Sequence, residues 1–228
     1  MQSEILLTND DGVQSPALEA LEKVLGHLGR VAVVAPDRER SAASHCITIH
    51  EPVAYHQIAP NRFAVQGTPA DCVITALMRI LDEPPKIVIS GINRGSNVGH
   101  DILYSGTVAA AFEAALQGIP AIAVSAYEFE NLDFALAAQV AARIAARVLE
   151  GGLPPDVILN VNYPRDWNGE FRLTRQGRRP AEPLSDYEAL AAGYVSICPL
   201  QINRTAHLHL EHFTRWTEQL SVWQGAKL

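Results

Sequence analysis

The 228 residues carry a net charge of −7, with 48% hydrophobic and 19% charged residues. A chain of that length buries a full core without covalent staples, and its acidic balance argues against a uniformly basic surface for nucleic-acid backbones. The three cysteines, Cys46, Cys72 and Cys198, have no paired spacing, which disfavours a disulfide framework and fits a reducing compartment. No opening run combines a basic start, an apolar core and a cleavage site. No stretch reaches about 18 apolar residues without a charge or a break, so neither a leader nor a membrane span is expected.

Glu4–Thr8 is a short apolar run stopped by Asn9-Asp10-Asp11-Gly12. It reads as a buried strand ending in a polar loop. Ser15 and Pro16 supply an N-cap and a first helical residue. The helix they open carries Leu18, Leu21, Val24, Leu25 and Leu28 on one face and ends around Gly26 and Gly29. Arg30–Ala35 is the next strand, closed by Pro36. Strand, helix, strand predicts a parallel unit with a right-handed crossover. Cys46–Gln66 reads as extended, a hairpin or edge pair turning at Asn61. Thr68 caps a helix from Pro69 through Met78. Lys86–Ser90 is a buried strand ended by Gly91. Thr107–Leu116 is an alanine-rich helix whose small residues let it lie close to a sheet. Ile119–Ser125, Leu132–Leu149 and Asp156–Val161 follow as strand, long helix and strand. Buried strands alternating with helices predict an α/β three-layer sandwich around a mostly parallel sheet. After Tyr163 the pattern changes. Phe171–Thr174 and Tyr194–Ile197 read as short strands around Arg175–Pro180 and an acidic stretch. The tail carries Leu208, Leu210, Phe213, Trp216, Leu220 and Trp223, and these could cover a neighbouring subunit.

In open parallel sheets the ligand lies beyond the carboxyl ends of the strands. The first strand delivers Asp10 and Asp11 there, the second delivers Asp37–Ser41, and the Lys86 strand delivers Asn93–Asn97. Adjacent carboxylates repel unless a cation or protons compensate, and oxygen-rich sites suit hard divalent ions. The same four residues are also good turn chemistry, so a solvated turn competes with a metal site. Asn93 is either a neutral oxygen ligand or a turn residue. Ser105-Gly106-Thr107 precedes the alanine-rich helix, where unpaired N–H groups make an anion site, and the same order also satisfies an ordinary N-cap. Neither a Walker A motif nor GxGxxG is present, which disfavours P-loop hydrolysis and dinucleotide binding. His45, the histidine close to these loops, is either a proton donor to a leaving group or a structural hydrogen-bonding residue. His207, His209 and His212 lack the spacing of a zinc helix. Cys72 has no base at hand and reads as a packed thiol.

Several segments together carry a resemblance. They are Leu7-Thr8-Asn9-Asp10-Asp11-Gly12, Val34–Ser41, Gly67–Val73, Ser90–Gly95 and Tyr104–Val108. In that order they resemble the successive signatures of the SurE (survival protein E) family of nucleotidases. Leu173–Gln176 and Gly193–Ile197 resemble its closing strands. The resemblance implies a Rossmann-like core and a cytoplasmic, metal-dependent 5′-nucleotidase. Nucleoside 5′-monophosphates would be its substrates, with 3′-monophosphates or short polyphosphate as further ones. It implies one divalent cation per subunit, Mg²⁺ or Mn²⁺, on Asp10, Asp11, Ser41 and Asn93. It implies phosphate contacts at Ser105, Gly106 and Thr107, with the Gly95-Ser96-Asn97 loop nearby. Asp10, Asp11 and His45 are the candidate catalytic residues, with Asp10 or Asp11 orienting water and His45 or solvent protonating the leaving group. Residues 1–163 would form the catalytic core. Residues 164–228 would complete the fold and exchange with a partner in a homodimer or homotetramer. No nucleic-acid duplex and no membrane is expected as a partner. The chain departs from the family's pattern at Ser44 and Cys46, in the short stretch between Arg179 and Asp186, and at Cys198, where the family often has threonine. An exopolyphosphatase and a non-catalytic nucleotide sensor are the rival readings. Metal-dependent phosphate release separates sensor from enzyme.

Overall fold

The computed structural model describes residues 4–127, 134–178 and 182–221. Leu132, Arg179, Pro180 and Trp223, all named above, lie outside the described residues. The chain opens with β1 (Ile5–Thr8), α1 (Pro16–Leu25) and β2 (Val31–Pro36), followed by the hairpin β3 (Tyr55–Ala59) and β4 (Arg62–Val65). Next come α2 (Pro69–Thr75), β5 (Ile87–Arg94), α3 (Gly106–Leu116), β6 (Ala121–Ala126), α4 (Phe134–Gly151) and β7 (Val157–Tyr163). The last part adds β8 (Phe171–Leu173), α5 (Asp186–Ala191), β9 (Val195–Gln201) and α6 (Leu210–Ser221).

The nine strands among the described residues form one sheet in the order β3-β4-β2-β1-β5-β6-β7-β9-β8. The neighbours from β4 to β7 pair in parallel, whereas β3 and β9 run antiparallel to β4 and β7. The middle of the sheet is sealed on both faces. On one face, Leu18, Leu21 and Leu25 of α1 pack with Ala138, Ala141 and Ile144 of α4 over Ile5, Leu7 and Ile89. On the other, Cys72 and Val73 of α2 pack with Val108 and Ala111 of α3 over Leu6, Val34 and Val88. Each fully buried leucine or isoleucine contributes about 1.5–3 kcal/mol. The α/β three-layer sandwich is thus the observed architecture, and strands after residue 163 extend the sheet of the preceding part.

Local signals explain most boundaries. Ser15 caps α1 by accepting from the Ala17 N–H, with Pro16 at the first turn. Thr68 and Asp71 form a reciprocal capping box on α2. The helix then continues as a wider π turn over Ala76–Ile80, so it runs past Met78. The extended Cys46–Gln66 region is a hairpin turning at Asn61, whose φ is 57°, and its strands begin only at Tyr55. Two expectations need correction. β5 does not end at Gly91 but runs on to Arg94, with a register shift against β6 between Ser90 and Asn93. Gly91 permits this because its φ is 135° and a Cβ there would collide with the Val124 carbonyl. The acidic stretch before Tyr194 holds α5, and the tail contains α6, two helices in a part where only short strands were expected.

The chain leaves β1 toward β2 on one side and returns to β5 on the other. The crevice outside the ends of β1 and β5 is therefore the topological switch point, where such sheets bind ligands.

Candidate active site

Asn9-Asp10-Asp11-Gly12 occupies that crevice. The loop is a turn, closed by two Asn9–Gly12 bonds of 3.1 Å, but it is not solvated: Asn9 and Asp10 are buried. Gly12, with φ 102°, would place a Cβ 3.1 Å from the Arg38 backbone. The loop after β2 closes over it, with Arg40 N–H donating to the Asp10 carbonyl at 2.7 Å.

The two carboxylates differ. Asp10 is held by α3, accepting from Thr107 Oγ1 at 2.6 Å and from the Thr107 N–H at 3.2 Å. A Cβ on Gly106 would meet the Asp10 side chain at 3.2 Å, so glycine lets the helix start approach this closely. Burial raises the Asp10 pKa, against the lowering effect of the Thr107 bonds. Asp11 Oδ2 is buried and has no hydrogen-bond partner among the described residues. Burial and the neighbouring Asp10 charge push its pKa up to about 6, while Arg94 opposes them through its charge and backbone N–H. Glu39 adds a further negative charge near both carboxylates.

The neutral oxygens are offered by the loop after β2 and by the end of β5. Ser41 Oγ donates to Glu39 Oε1 at 2.6 Å, which leaves the oxygen's lone pairs to other partners. Asn93 Nδ2 donates to the Gly95 carbonyl at 2.8 Å, which fixes the amide and leaves Oδ1 as its acceptor atom. Among the described residues no three His, Cys, Asp or Glu side chains gather as a metal cluster. The candidate donors are instead two carboxylates and neutral oxygens, a chemistry that suits a hard divalent ion. An orphaned buried carboxylate oxygen beside a second carboxylate fits such an ion, because positive charge offsets both the burial and the repulsion.

The expected phosphate contacts are placed as follows. Ser105 caps α3 through the Val108 N–H at 3.1 Å, and Thr107 holds Asp10. In the first turn the Gly106 N–H has no protein acceptor among the described residues. Asn97 is buried in an amide network. Its N–H donates to Asn162 Oδ1 at 2.8 Å and its Nδ2 to Ser125 Oγ at 2.7 Å, and its carbonyl accepts from Asn160 and Asn162. His45 is not brought to the carboxylates. Its Nε2 lies 3.0 Å from Glu113 Oε2, and Glu113 is seven residues into α3, about 10 Å from the helix start. Cys72 is buried in α2, where burial raises its thiol pKa well above the usual value. His212 packs against the Phe213 and Trp216 rings, with ring centroids 5.2 and 5.4 Å away.

Some residues around the site carry no motif. Asp186, fully buried at the start of α5, accepts from Gly99 N–H at 2.8 Å, Gly177 N–H at 3.0 Å and Tyr187 N–H at 2.9 Å. Gln176 Nε2 donates to the Gly99 carbonyl at 2.7 Å. The loop after β5 is therefore clamped by a segment far along the chain. Ser185 with Glu188 three residues on was the capping signal for this helix. Nothing in the sequence pattern marked its partner Gly99.

A family model described as "Survival protein SurE" matches residues 5–183. The protein named 5′-nucleotidase SurE from Geotalea daltonii is 43% identical over 244 residues, spanning 93% of this chain and 98% of its own. Its namesake from Alkalilimnicola ehrlichii is 41% identical over 246 residues, spanning 95% and 96%. Among solved structures, the SurE protein of Aquifex aeolicus superposes with a TM-score of 0.89 at 39% identity, covering 93% of this chain and 99% of that one.

Proposed function

The chain belongs to the SurE family, and from that membership and the buried carboxylate pair we propose that it is a metal-dependent 5′-nucleotidase, hydrolysing nucleoside 5′-monophosphates to nucleoside and phosphate. The observation that carries this reading is Asp11 Oδ2, buried and unpartnered beside a second carboxylate. A protein keeps such an arrangement, which costs stability, where a ligand compensates for it.

Asp10, Asp11, Ser41 and Asn93 would hold one divalent cation per subunit, Mg²⁺ or Mn²⁺. When bound, such an ion supplies positive charge to a phosphoryl oxygen and a water of lowered pKa. The protein's own groups do the rest. Thr107 fixes the Asp10 carboxylate, and Glu39 fixes the Ser41 hydroxyl. The Gly106 N–H at the start of α3 is the donor offered to a phosphoryl oxygen, aided by the helix dipole. Asn97 keeps the loop after β5 in shape through its bonds to Asn160, Asn162 and Ser125. His45 is engaged by Glu113, so we assign the leaving-group proton to solvent. We also propose that α6 pairs with a second copy of the chain, because Leu210, Phe213 and Trp216 are exposed along it.

The test is phosphate release from 5′- and 3′-nucleotides and short polyphosphate, metal-stripped and with Mg²⁺ or Mn²⁺, beside Asp10→Asn and Asp11→Asn. Release that needs metal and collapses in both variants supports the site. No release from folded wild type with any metal refutes the nucleotidase reading.

A further inference from the structure

A cleft of about 720 Å³ lies at the same end of the sheet, beyond β6 and β7 and beneath α5. That volume is in the range of small-molecule sites. Its walls include Ser96, Tyr127, Arg165, Asp166, Tyr187 and Gly193. It adjoins the candidate active site through one loop, because Ser96 lies between Asn93 and the buried Asn97. Across the sheet, Asn93 pairs with Ser125 of β6, and Tyr127 follows two residues later. The carboxylates on β1 and the cleft beyond β6 are thus about two strand spacings apart, ~10 Å, the scale of a nucleoside monophosphate.

The wall is built rather than incidental. Tyr187 is seated against Gly99, and its hydroxyl donates to the Val98 carbonyl at 3.3 Å. The neighbouring Asp186 ties α5 to Gly99 and Gly177. Tyr127 is half-exposed, with the Arg165 guanidinium 5.4 Å over its ring. Flat aromatic and guanidinium faces, together with a carboxylate and a hydroxyl at the wall, match a planar heterocycle with polar edges. Another opening near the site, beside Ser41, is lined by Glu39, Ala43, Cys46 and Thr68 and has no aromatic ring among its described lining residues.

We propose that this cleft is the nucleoside subsite, with Tyr127 as the surface on which the base stacks. The assignment rests on the nucleotidase reading for its substrate, but nucleoside binding can be measured without any hydrolysis.

The experiment has a binding arm and a kinetic arm, run on the full chain. In the first, adenosine, guanosine, cytidine and uridine are titrated calorimetrically into protein held in EDTA. Tyr127→Ala is expected to weaken nucleoside binding about tenfold, the effect of losing one stacking face. Tyr127→Phe, which keeps the ring, restores it. In the second, the preference for nucleoside 5′-monophosphates over glycerol 2-phosphate is expected to fall about tenfold in Tyr127→Ala, through KM. Unchanged nucleoside affinity in Tyr127→Ala, with binding abolished by Ala43→Trp in the opening beside Ser41, overturns the assignment. Failure of wild type to bind any nucleoside also overturns it. If wild type binds nucleosides through Tyr127 but hydrolyses no phosphoester, the subsite stands and the nucleotidase reading alone falls.

Discussion

Asp11→Asn is expected to stabilise the metal-stripped protein at neutral pH, although it removes a site residue. The folded chain buries the Asp11 carboxyl beside Asp10 and raises its pKa from 3.8 to about 6. Below pH 3.8 the group is protonated in folded and unfolded chains alike and contributes nothing to the pH dependence. Between 3.8 and about 6 the folded chain keeps a proton that the unfolded chain has lost, so stability falls as pH rises. Above about 6 the loss is complete. At 1.36 kcal/mol per pKa unit the full gap is worth at most ~3 kcal/mol. Partial solvent access screens it to ~1–2 kcal/mol. Asparagine keeps the shape without the charge and so removes the repulsion between Asp11 and the neighbouring Asp10. The assay is urea unfolding of both proteins in EDTA from pH 4 to 7.5. The difference, variant minus wild type, should grow by ~1–2 kcal/mol across that range. A difference that does not change with pH, or one that shrinks, refutes the reasoning. At pH 7.5, added Mn²⁺ should stabilise wild type more than the variant.

Thr107→Val removes the hydroxyl that holds Asp10 and should cost about 1.5–3 kcal/mol, as bonds to charged groups do, read by the same unfolding assay. Asp186→Ala leaves the Gly99, Gly177 and Tyr187 N–H groups without their acceptor and should cost about 3 kcal/mol or more. Faster hydrogen exchange at Gly99 and Gly177 would check that the loss is at this clamp. Ala42 has a φ of 58°, and a non-glycine residue pays about 1–2 kcal/mol there. Ala42→Gly should therefore raise the melting temperature, by a net ~0.5 kcal/mol once the added freedom of the unfolded chain is counted.

The sheet and its helices were legible because their signals are local. Ser15-Pro16 and Thr68-Pro69 announce helix starts, and apolar runs such as Ile5–Thr8 announce buried strands. The carboxylate pair was legible for the same reason, being adjacent in sequence at a strand end. Gly91 misled because glycine reads as a breaker, whereas here it lets the strand pass the Val124 carbonyl. The place of His45 was not legible because its partner, Glu113, lies 68 residues away. The cleft walls escaped for a like reason: Ser96, Tyr127, Arg165 and Tyr187 come from four separate segments and share no spacing. α6 escaped because its apolar residues Leu210, Phe213 and Trp216 are exposed and cover no core among the described residues.

The bond from Gly99 to Asp186 spans 87 residues, and this has a consequence for how the protein is made. As the chain leaves the ribosome, the parallel strands from β1 to β7 are complete well before residue 186 exists. The sheet can therefore begin to assemble around its core while the Gly99 N–H in the loop after β5 still lacks the carboxylate that accepts from it. The loop reaches its final shape only when Gln176 and Asp186 arrive. The fold thus sets an order on its own maturation: the scaffold comes first, and the pocket wall closes only after residues 176–186 have been made.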